Sequence, residues 1–400
     1  MTTTINKEQK NPNVPNLRFP EFEGEWQEKR LSDIADLSKG IGISKDQLSA
    51  DGEPCILYGE LYTKYKSETI KEVISKTNID NTKLVKSKAN DVIIPCSGET
   101  AEEIATARCV LKDDILLGGD LNIIRLHGYD GSFMSYQLNG KRKYDIAKVA
   151  QGVSVVHLYG EHLKNIKTIN PSLNEQKKIA NLLSLLDERI STQNKIIDKL
   201  QSLIKGISNR LLYADNSMSI RIEEMLIERS ERTKKNNQYE VLSSTMNGIF
   251  SQRDYFSKDI ASDNNVGYKI IHLHDIVLSP QNLWMGNINF NDKFDIGIVS
   301  PSYKVFSIAD GFDKKYVAAL LKTHHALYNY MLVSEQGASI VRRNLNYEAF
   351  EQLVFKIPSL NKQREIGHAI SLLKSRLENA NLLIKTYNSQ KQFMIRQMFI

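Results

Sequence analysis

Cysteines are few in this 400-residue sequence, and long apolar runs are missing. Cys55, Cys96 and Cys109 are odd in number and form no CxxC pair, which argues against a disulfide framework and against a zinc site. Because apolar residues flank all three, we expect buried free thiols in a reducing cytoplasm. No segment approaches about 18 consecutive apolar residues, so no membrane span is predicted.

Two catalytic motifs are also missing. An ATP-driven translocase needs a phosphate-binding GxxxxGK[ST] loop, and the nearest segment, residues 39–45, lacks that spacing. The sequence contains no Pro-Pro pair, so it lacks the Asn/Asp-Pro-Pro-Tyr/Phe motif that adenine methyltransferases carry. These absences favour a non-catalytic protein over an enzyme with an unrecognised active site.

The composition is typical of a folded protein with more than one domain. Hydrophobic residues make up 41% and charged residues 25% of the chain, and each half is long enough to bury a core. The 53 lysines and arginines against 47 acids give a net charge of +6, which permits a nucleic-acid partner without requiring one. Residues 1–16 are polar and lack the apolar core of a signal peptide, so we expect a flexible arm and a cytoplasmic protein.

The chain is an internal duplication. Residues 171–213 align without gaps with residues 358–400, and residues 151–156 and 91–95 resemble residues 336–341 and 275–279. The remaining upstream residues diverge, so a variable domain followed by a similar helix occurs twice. Identical pairs in the aligned helices include Pro171 and Pro358, Ser172 and Ser359, Gln176 and Gln363, Ile179 and Ile366, and Arg189 and Arg376.

Both copies carry a heptad pattern that predicts a long helix of about 40 residues. Gln193 and Lys391 are the polar breaks, and Ser172 and Glu175 fit a capping box in the first copy only. We expect the two seams to pack on each other in antiparallel order. The alternative is two independent coiled coils that recruit outside helices, and flanking Leu182, Leu185, Ile196 and Leu203 would suit partners in either case. The predicted seam comprises Ile179, Leu183, Leu186, Ile190, Ile197, Leu200, Ile204, Ile366, Ile370, Leu373, Leu377 and Ile384.

Two short motifs have spacings found in metal sites. Residues 175–177 have the Glu-x-Lys spacing of some nucleases, but the second copy lacks the acid, so we interpret them as a solvated helix face. His272 and His274 would share one face of a strand without an evident third ligand. Ordinary surface or core histidines are therefore favoured over a DNA contact or a metal site.

The predicted fold class is α+β, with two globular domains joined by two long antiparallel coiled-coil helices under an internal pseudo-twofold. Short alternating runs and a few short helical segments fill each globular half. The predicted boundaries are 1–16 for the arm, 17–168 and 214–356 for the domains, and 169–213 and 357–400 for the helices.

The whole arrangement from residue 17 to residue 400 resembles the specificity subunit of type I restriction-modification enzymes. The resemblance rests on a segment with Trp26, on residues 31–35, 58–62 and 91–94, on Gln151-Gly152, and on Pro-x-Leu-x-x-Gln followed by a heptad helix. It implies that each domain is a target recognition domain that reads one half of a split sequence in double-stranded DNA.

The same resemblance implies that the helices set the gap between half-sites and dock two methyltransferase subunits, which restriction-translocation subunits then join. S-adenosylmethionine, ATP and magnesium would serve those partners, and this chain would hold no cofactor. The main alternative is a stand-alone DNA-binding protein, such as a regulator or a nucleoid protein, with two DNA domains on a spacer.

DNA binding needs basic groups for phosphates and planar polar groups for base edges. A solvated surface is the alternative for each candidate, and the repeated pairs Gln151-Gly152 and Gln336-Gly337 are interpreted as structural. First-domain candidates are Tyr62, Lys64, Tyr65, Lys66, Lys141, Arg142 and Lys143. Second-domain candidates are Arg232, Lys234, Lys235, Asn236, Gln238, Arg253, Gln281, Asn282, Trp284, Arg342, Arg343 and Asn344.

Overall fold

A computed structural model describes residues 13–152, 155–211, 218–255, 264–336 and 343–400. The chain forms two compact units, one of Met1–Asn194 with Leu382–Ile400 and one of Lys195–Asn381. These limits cut both long helices, whereas the boundaries expected from the sequence lie at the helix starts. Most of the expected N-terminal arm, residues 1–12, lies outside the described residues.

Two five-stranded sheets form the centre of the first unit, in the orders β2-β12-β8-β10-β5 and β3-β6-β4-β11-β7. All five residues of β8 are buried, because β-branched Val92, Ile93 and Ile94 suit a central strand that is covered on both faces. The strands are β1 (Gln27–Arg30), β2 (Ala35–Lys39), β3 (Leu48–Ser49), β4 (Glu53–Ile56), β5 (Thr69–Ile70), β6 (Ser75–Thr77), β7 (Val85–Lys86), β8 (Asp91–Pro95), β9 (Ser97–Gly98), β10 (Arg108–Val110), β11 (Leu116–Leu117), β12 (Leu121–Leu126), β13 (Val156–His157) and β14 (Lys167–Asn170).

Short helices and one long helix complete this part of the chain. The carboxylate of Asp130 accepts a hydrogen bond from the N–H of Phe133 at 2.8 Å and so caps α4, which buries Phe133, Tyr136 and Leu138. The helices are α1 (Leu31–Ile34), α2 (Glu60–Thr63), α3 (Ala101–Ile104), α4 (Gly131–Asn139), α5 (Lys143–Val149), α6 (Gly160–Lys164) and α7 (Leu173–Leu211).

The second unit is built around the four-stranded sheet β16-β23-β20-β21. Asp313 caps α10 through a hydrogen bond from the N–H of Tyr316 at 2.8 Å, as Asp130 caps α4. The strands are β15 (Met218–Arg221), β16 (Leu226–Glu228), β17 (Leu242–Thr245), β18 (Gly248–Ser251), β19 (Lys269–His272), β20 (Ile276–Leu278), β21 (Ile288–Phe290), β22 (Ile296–Val299), β23 (Lys304–Ile308), β24 (Ser334–Gln336), β25 (Arg343–Leu345) and β26 (Val354–Ile357). The helices are α8 (Ile222–Met225), α9 (Gln252–Tyr255), α10 (Lys314–Leu320), α11 (His324–Leu332), α12 (Tyr347–Glu351) and α13 (Leu360–Met398).

Both units are closed by the same pair of strands. β1 runs antiparallel to β14, with Gln27 opposite Asn170, and β15 runs antiparallel to β26, with Met218 opposite Ile357. A proline and the long helix follow each closing strand, at Pro171 for α7 and at the equivalent position for α13. The duplication in the sequence is therefore a duplication of this frame.

The repeated glutamine connects each long helix to its own unit. Gln176 donates from Nε2 to the carbonyl of Pro171 at 2.8 Å and accepts through Oε1 from the N–H of Asp130 at 2.9 Å. Gln363 makes the same two hydrogen bonds, at 2.9 and 3.1 Å, with Pro358 and with the N-cap aspartate of α10. Both glutamines are 1% exposed. We call each set a glutamine joint, because it binds the helix start to the N-cap of a domain helix.

The long helices pair in antiparallel order in each unit, as predicted. In the first unit, Ile179 and Leu183 of α7 share a buried cluster with Ile395 and Met398 at the end of α13. In the second unit, Ile207 near the end of α7 packs on the cluster that holds the first seam residues of α13. All predicted seam residues are buried or half-buried. The mixed fold with two long helices confirms the α+β prediction.

The expectation of a solvated face at residues 175–177 is wrong for Glu175 and Gln176, which are both buried. Glu175 accepts from Nε and from the second terminal nitrogen of Arg18, both at 2.8 Å, and from the indole N–H of Trp26 at 3.3 Å. The predicted capping box is incomplete, because only the N–H of Glu175 reaches the Ser172 hydroxyl, at 3.4 Å. The Glu175 carboxylate instead holds the segment before β1 against α7.

Lys391, the polar break in the second seam, lies in a buried charge network within the first unit. Its Nζ is 2.5 Å from Oε2 of Glu68 and 2.6 Å from Oδ1 of Asp187. The hydroxyls of Tyr136 and Ser67 donate to Oδ2 of Asp187 at 2.7 and 2.9 Å. Lys391 therefore links the end of α13 to α7 and to the globular part of the first unit.

The three cysteines are free and buried, which confirms the predicted thiols. Burial raises the pKa of Cys55 and Cys96 to about 11 and the pKa of Cys109 to about 12. The reactive thiolate is therefore scarce at neutral pH.

Candidate nucleic-acid interface

Candidates that lie about 60 positions apart in the sequence meet in the second unit. The N–H of Arg343, on β25, donates to the carbonyl of Gln281 at 3.2 Å. The guanidinium carbon of Arg343 is 4.7 Å from the ring centroid of Trp284, which is the stacked geometry of a cation–π contact. Gln281 and Asn344 are exposed, and Asn282 is half-buried beside them in the chain. This junction presents a guanidinium fork and amides, the groups that read guanine and adenine edges.

The first unit has a corresponding junction with different side chains. In the first unit, β9 follows β8 and pairs with β13. In the second unit, the segment with Gln281 follows β20, and Gln281 accepts a hydrogen bond from β25. Oγ of Ser97 is 3.2 Å from Nδ1 of His157, the ring of His157 stacks on Tyr159, and Nζ of Lys39 lies 5.5 Å from the Tyr159 centroid. Sequence reasoning missed these residues, although the repeated Gln-Gly pair marks the chain just before them.

The repeated Gln-Gly pair has a backbone role in the first unit, in agreement with its structural interpretation. Gln151 and His157 exchange backbone hydrogen bonds of 2.9 and 2.7 Å. Gly152 has φ +125°, and a Cβ there would lie 2.1 Å from the carbonyl of Val155. Only glycine suits that turn. Gln336 pairs with Arg343, whereas Gly337 and the candidate Arg342 lie outside the described residues.

A cleft of about 330 Å³ adjoins the junction of the first unit. Burial, together with Tyr58, Glu103 and Glu99, raises the pKa of Tyr62. The cleft is therefore aromatic and acidic, which disfavours phosphate but suits an amino group such as that of cytosine. Its lining residues are Tyr58, Tyr62, Ser97, Gly98, Glu99, Glu103 and Val155.

Residues 23–202 match the family model of the type I restriction modification DNA specificity domain. The match covers the first globular domain and most of α7, which together are less than half of the chain. This chain is 29% identical over 206 residues to the type I restriction enzyme MjaVIII specificity subunit of Methanocaldococcus jannaschii. That alignment covers 51% of this chain and 45% of the relative, so it spans less than half of the relative's length.

The fold of this chain is also found in a solved structure. The S subunit of a type I restriction-modification system from M. genitalium matches with a TM-score of 0.64 at 15% identity. The match covers 97% of this chain and 99% of the other. The two chains therefore share the fold over nearly their whole lengths.

The segment from Tyr62 to Lys66 is less accessible than expected. Nζ of Lys64 donates to Oε1 of Glu60 and to the hydroxyl of Ser75, both at 2.6 Å. Tyr65 is 7% exposed, and burial raises its pKa to about 12. Tyr65 is thus a core residue, which corrects its assignment as a DNA contact, and Lys64 is held in an internal ion pair. Lys66 is exposed.

The basic cluster after α4 is also partly occupied by internal contacts. Arg142 donates to Oδ2 of Asp145 at 3.4 Å and to the Ile400 carbonyl at 3.2 Å. Lys141 is exposed, and Lys143 begins α5. Of the three candidates, Lys141 is the most accessible to a phosphate.

The basic, amide-rich segment 229–238 folds on itself. Arg232 donates to the carbonyl of Gly267 at 2.9 Å, and Oε1 of Gln238 accepts from the N–H of Lys234 at 3.0 Å. Asn236 likewise accepts through Oδ1 from a backbone N–H of the facing loop, at 2.9 Å. Lys234 and Lys235 are exposed, as is Arg253 on α9. The amides therefore shape the loop, while the lysines face solvent.

The histidine motif has ordinary contacts. Nε2 of His272 lies 2.8 Å from Oε2 of Glu231, and the ring of His274 stacks on Phe290. Among the described residues, no group of three His, Cys, Asp or Glu side chains could hold a metal ion. Within the same residues, no helix is long and apolar enough to cross a membrane.

Proposed function

We propose that this chain is the DNA-reading subunit of a type I restriction-modification complex, and that each unit contacts one half of a bipartite target. The observation that carries the proposal is the contrast between the two junctions. The same frame of closing strands and glutamine joints recurs, yet one junction carries Tyr62 beside acids and the other carries Trp284 and Arg343. Constant frames with different presented side chains are what two readers of different half-sites require.

We propose that the long helices set the gap between half-sites and dock two methyltransferase subunits, which restriction-translocation subunits then join. Large apolar side chains remain exposed along both helices, with Leu382 at 65% and Phe393 at 55%. Leu185, Ile196, Leu203 and Leu372 are exposed as well. Such residues favour a subunit of a complex over a stand-alone regulator, because apolar helix faces gain from burial against partner helices.

In this proposal, catalysis belongs to the partners, and S-adenosylmethionine, ATP and magnesium bind there. The sequence carries neither the phosphate loop nor the methyltransferase motif described above. A pull-down that recovers methyltransferase subunits in stoichiometric amounts separates this function from that of a regulator acting alone.

Exchanging residues 17–168 for the matching domain of a related subunit should change one half of the DNA target and leave the other half unchanged. The reason is that β1 and β14 close this domain on itself, so its readers travel with it. Methylation mapping of cells that carry the hybrid complex measures both halves. A hybrid that altered both half-sites would show that the domains do not read independently.

Replacing Arg343 with alanine should relax base choice in one half-site, with a loss of discrimination of about 1–3 kcal/mol at one base pair. Arg343→Lys should recover little, since lysine lacks the planar fork that stacks on Trp284. Lys235→Ala is the matched control, because an exposed lysine should affect all sequences alike. Competition binding on duplexes with single base changes measures this. Equal weakening at every base would make Arg343 a phosphate contact instead.

A further inference from the structure

Two adjoining clefts in the second unit form one basic groove. The larger cleft, of about 780 Å³, lies between the tip of the β17–β18 hairpin, α10 and the first half of α13. The smaller, of about 330 Å³, lies at the start of α10 and α13. His274, Phe290 and Lys315 line both clefts. The cations of the groove are Lys293, Lys314, Lys315, Lys322, Arg364 and Lys374.

The groove is electrostatically unbalanced. Its acids are Asp292, Asp313 and Glu378, against six cations, and Asp313 is already used as the N-cap of α10. Within the described part of the chain, none of the six cations lies within 4 Å of a carboxylate oxygen. Because cations outnumber acids in the groove, its net charge is positive and an anion that enters is attracted.

Lys322 connects the groove to the candidate base-reading junction. Its Nζ donates to the carbonyl of Gly286 at 2.9 Å and to that of Met246 at 3.4 Å. Gly286 directly follows the turn that carries Trp284. Burial and the nearby charge of Lys374 lower the pKa of Lys322 to about 8. Lys322 therefore lines the groove and also contacts the residue that follows the Trp284 turn.

A flat, uncharged platform separates the two clefts. The rings of His274 and Phe290 stack with centroids 5.6 Å apart and planes 17° apart. Burial, with the charges of Lys314 and Lys315, lowers the pKa of His274, so its imidazole is neutral at neutral pH. A platform between cationic walls suits an apolar sugar face whose phosphates lie on either side.

The first unit is closed at the corresponding place. Asn90 and His274 both have positive φ, at 82° and 76°, in matching turns. Asn90 donates to the carbonyl of Tyr129, and a Cβ on Gly131 would lie 2.3 Å from the carbonyl of Asn90. The second unit has Lys314 where the first has this glycine. Lys314 and His274 are thus features of the second unit at this position and are not required by the shared frame.

The position of Lys374 differs in the same way. Its counterpart in the aligned helices is Asp187, which is buried in the charge network with Lys391. One unit therefore uses this helix position for an internal ion pair, and the other presents an ammonium to the groove.

We propose that the basic groove binds the sugar-phosphate backbone of the DNA target and anchors only the half-site that the second unit reads. The proposal rests on the function proposed above, since the duplex is its ligand. Phosphate contacts fix position without reading sequence, so the groove strengthens binding to all duplexes equally. One half-site is then held more tightly than the other, whatever its bases.

The test uses the full chain in its complex and the double variant Lys315→Ala/Lys374→Ala. Lys199→Ala/Lys356→Ala is the control, because it removes two exposed lysines of the same unit outside the groove. For the groove variant, the slope of log affinity against log salt should become shallower by about 1.8, which corresponds to two phosphate contacts. Affinity at low salt should fall roughly tenfold for target and non-target duplexes alike. The control should change neither quantity.

Ethylation interference identifies the phosphates whose modification weakens binding. For the groove variant, interference should disappear at phosphates at one end of the target only. An unchanged salt slope, or losses at both ends, would overturn the proposal. Binding of inorganic tripolyphosphate that is lost in the variant, with unchanged DNA binding, would assign the groove to free phosphates and overturn it too.

The outcomes also separate this proposal from the proposed function. If the unaltered complex bound no DNA sequence preferentially, the proposed function would fail. If the unaltered complex, the control and the groove variant all bound the target equally, only the groove would fail. Lys315→Glu is a further variant of the groove. Because charge reversal repels the phosphates, it should reduce DNA affinity more than Lys315→Ala does, without removing core contacts.

Discussion

Replacing Lys391 with methionine should lower the free energy of unfolding of the first unit by about 3–5 kcal/mol. The substitution keeps the length of the side chain but removes the ammonium that contacts the buried carboxylates of Glu68 and Asp187 at 2.5 and 2.6 Å. Lys391 is only 8% exposed, so water replaces little of the lost charge. Hydrogen exchange of residues 173–194 is the measurement, since it reports on the first unit separately from the second.

Two controls separate the ion pairs from a general loss of packing. Lys385→Met changes an exposed lysine of the same helix and should stay within about 0.5 kcal/mol. Adding Glu68→Gln and Asp187→Asn to Lys391→Met should recover part of the loss, because the two buried carboxylates are then removed, while buried Arg108 loses the acids that stabilise its charge. A single variant as stable as the unaltered protein would contradict a structural role for the network.

The stabilisation from the Lys391 network should be lost at strongly alkaline pH. Burial opposes the charged form of Lys391, but Glu68 and Asp187 outweigh it and raise its pKa. Because the folded pKa is the higher one, the stabilisation is complete below the unfolded value of about 10.4. It is lost as pH rises through the folded value. The stability difference between the unaltered protein and Lys391→Met should therefore shrink in strongly alkaline buffer.

Breaking a glutamine joint should cost about 2–4 kcal/mol of stability in its own unit. Gln363→Met removes two hydrogen bonds and leaves the Pro358 carbonyl and a backbone N–H without partners, at about 1–3 kcal/mol for each group that is buried. Gln176→Met should do the same in the first unit. Urea unfolding followed by hydrogen exchange measures each unit separately.

Conservative and matched variants refine this prediction. Gln363→Glu keeps an acceptor for the N-cap N–H but places a buried carboxylate oxygen against the Pro358 carbonyl, so at neutral pH it should cost at least as much as Gln363→Met. Gln201→Met, on the exposed surface of α7, should change little. If the joints also position the domains, methylation mapping on targets with varied gaps should show a broader preference for Gln363→Met. An unchanged preference would limit the joints to stability.

Local patterns in the sequence predicted the repeated parts of this fold well. Heptad spacing depends on neighbours three and four positions away, so it predicted both long helices and their seam. The identity of Gln176 and Gln363 was visible in the repeat, but residues 175–177 were interpreted as a solvated face, so the role of these glutamines was missed. Their partners Pro171 and Pro358 are five residues distant in the chain, and the N-cap aspartates are 46 and 50 residues distant.

Contacts between distant segments were beyond the reach of those patterns. Lys391 was only a polar interruption in the sequence, because its partner Glu68 lies 323 positions away. Glu175 looked solvated because Arg18, its partner, precedes the first strand. The stacking of Arg343 on Trp284 depends on how short strands pair, and strands of two to four residues leave little periodicity to detect.

The closing strands bear on how much the domains can vary. Gln27 lies opposite Asn170, and Met218 lies opposite Ile357. The first and last strands of each domain are therefore neighbours, and the rest of the domain lies between them in the chain. In the entropy of chain closure, the segment between the two closing strands behaves as a loop whose ends are held together. The entropy of closing a loop rises only logarithmically, by about 0.6 kcal/mol per doubling of its length. Insertions and deletions within a domain should therefore cost little at the closing strands, so the enclosed segment can change in length without a change in the helical scaffold.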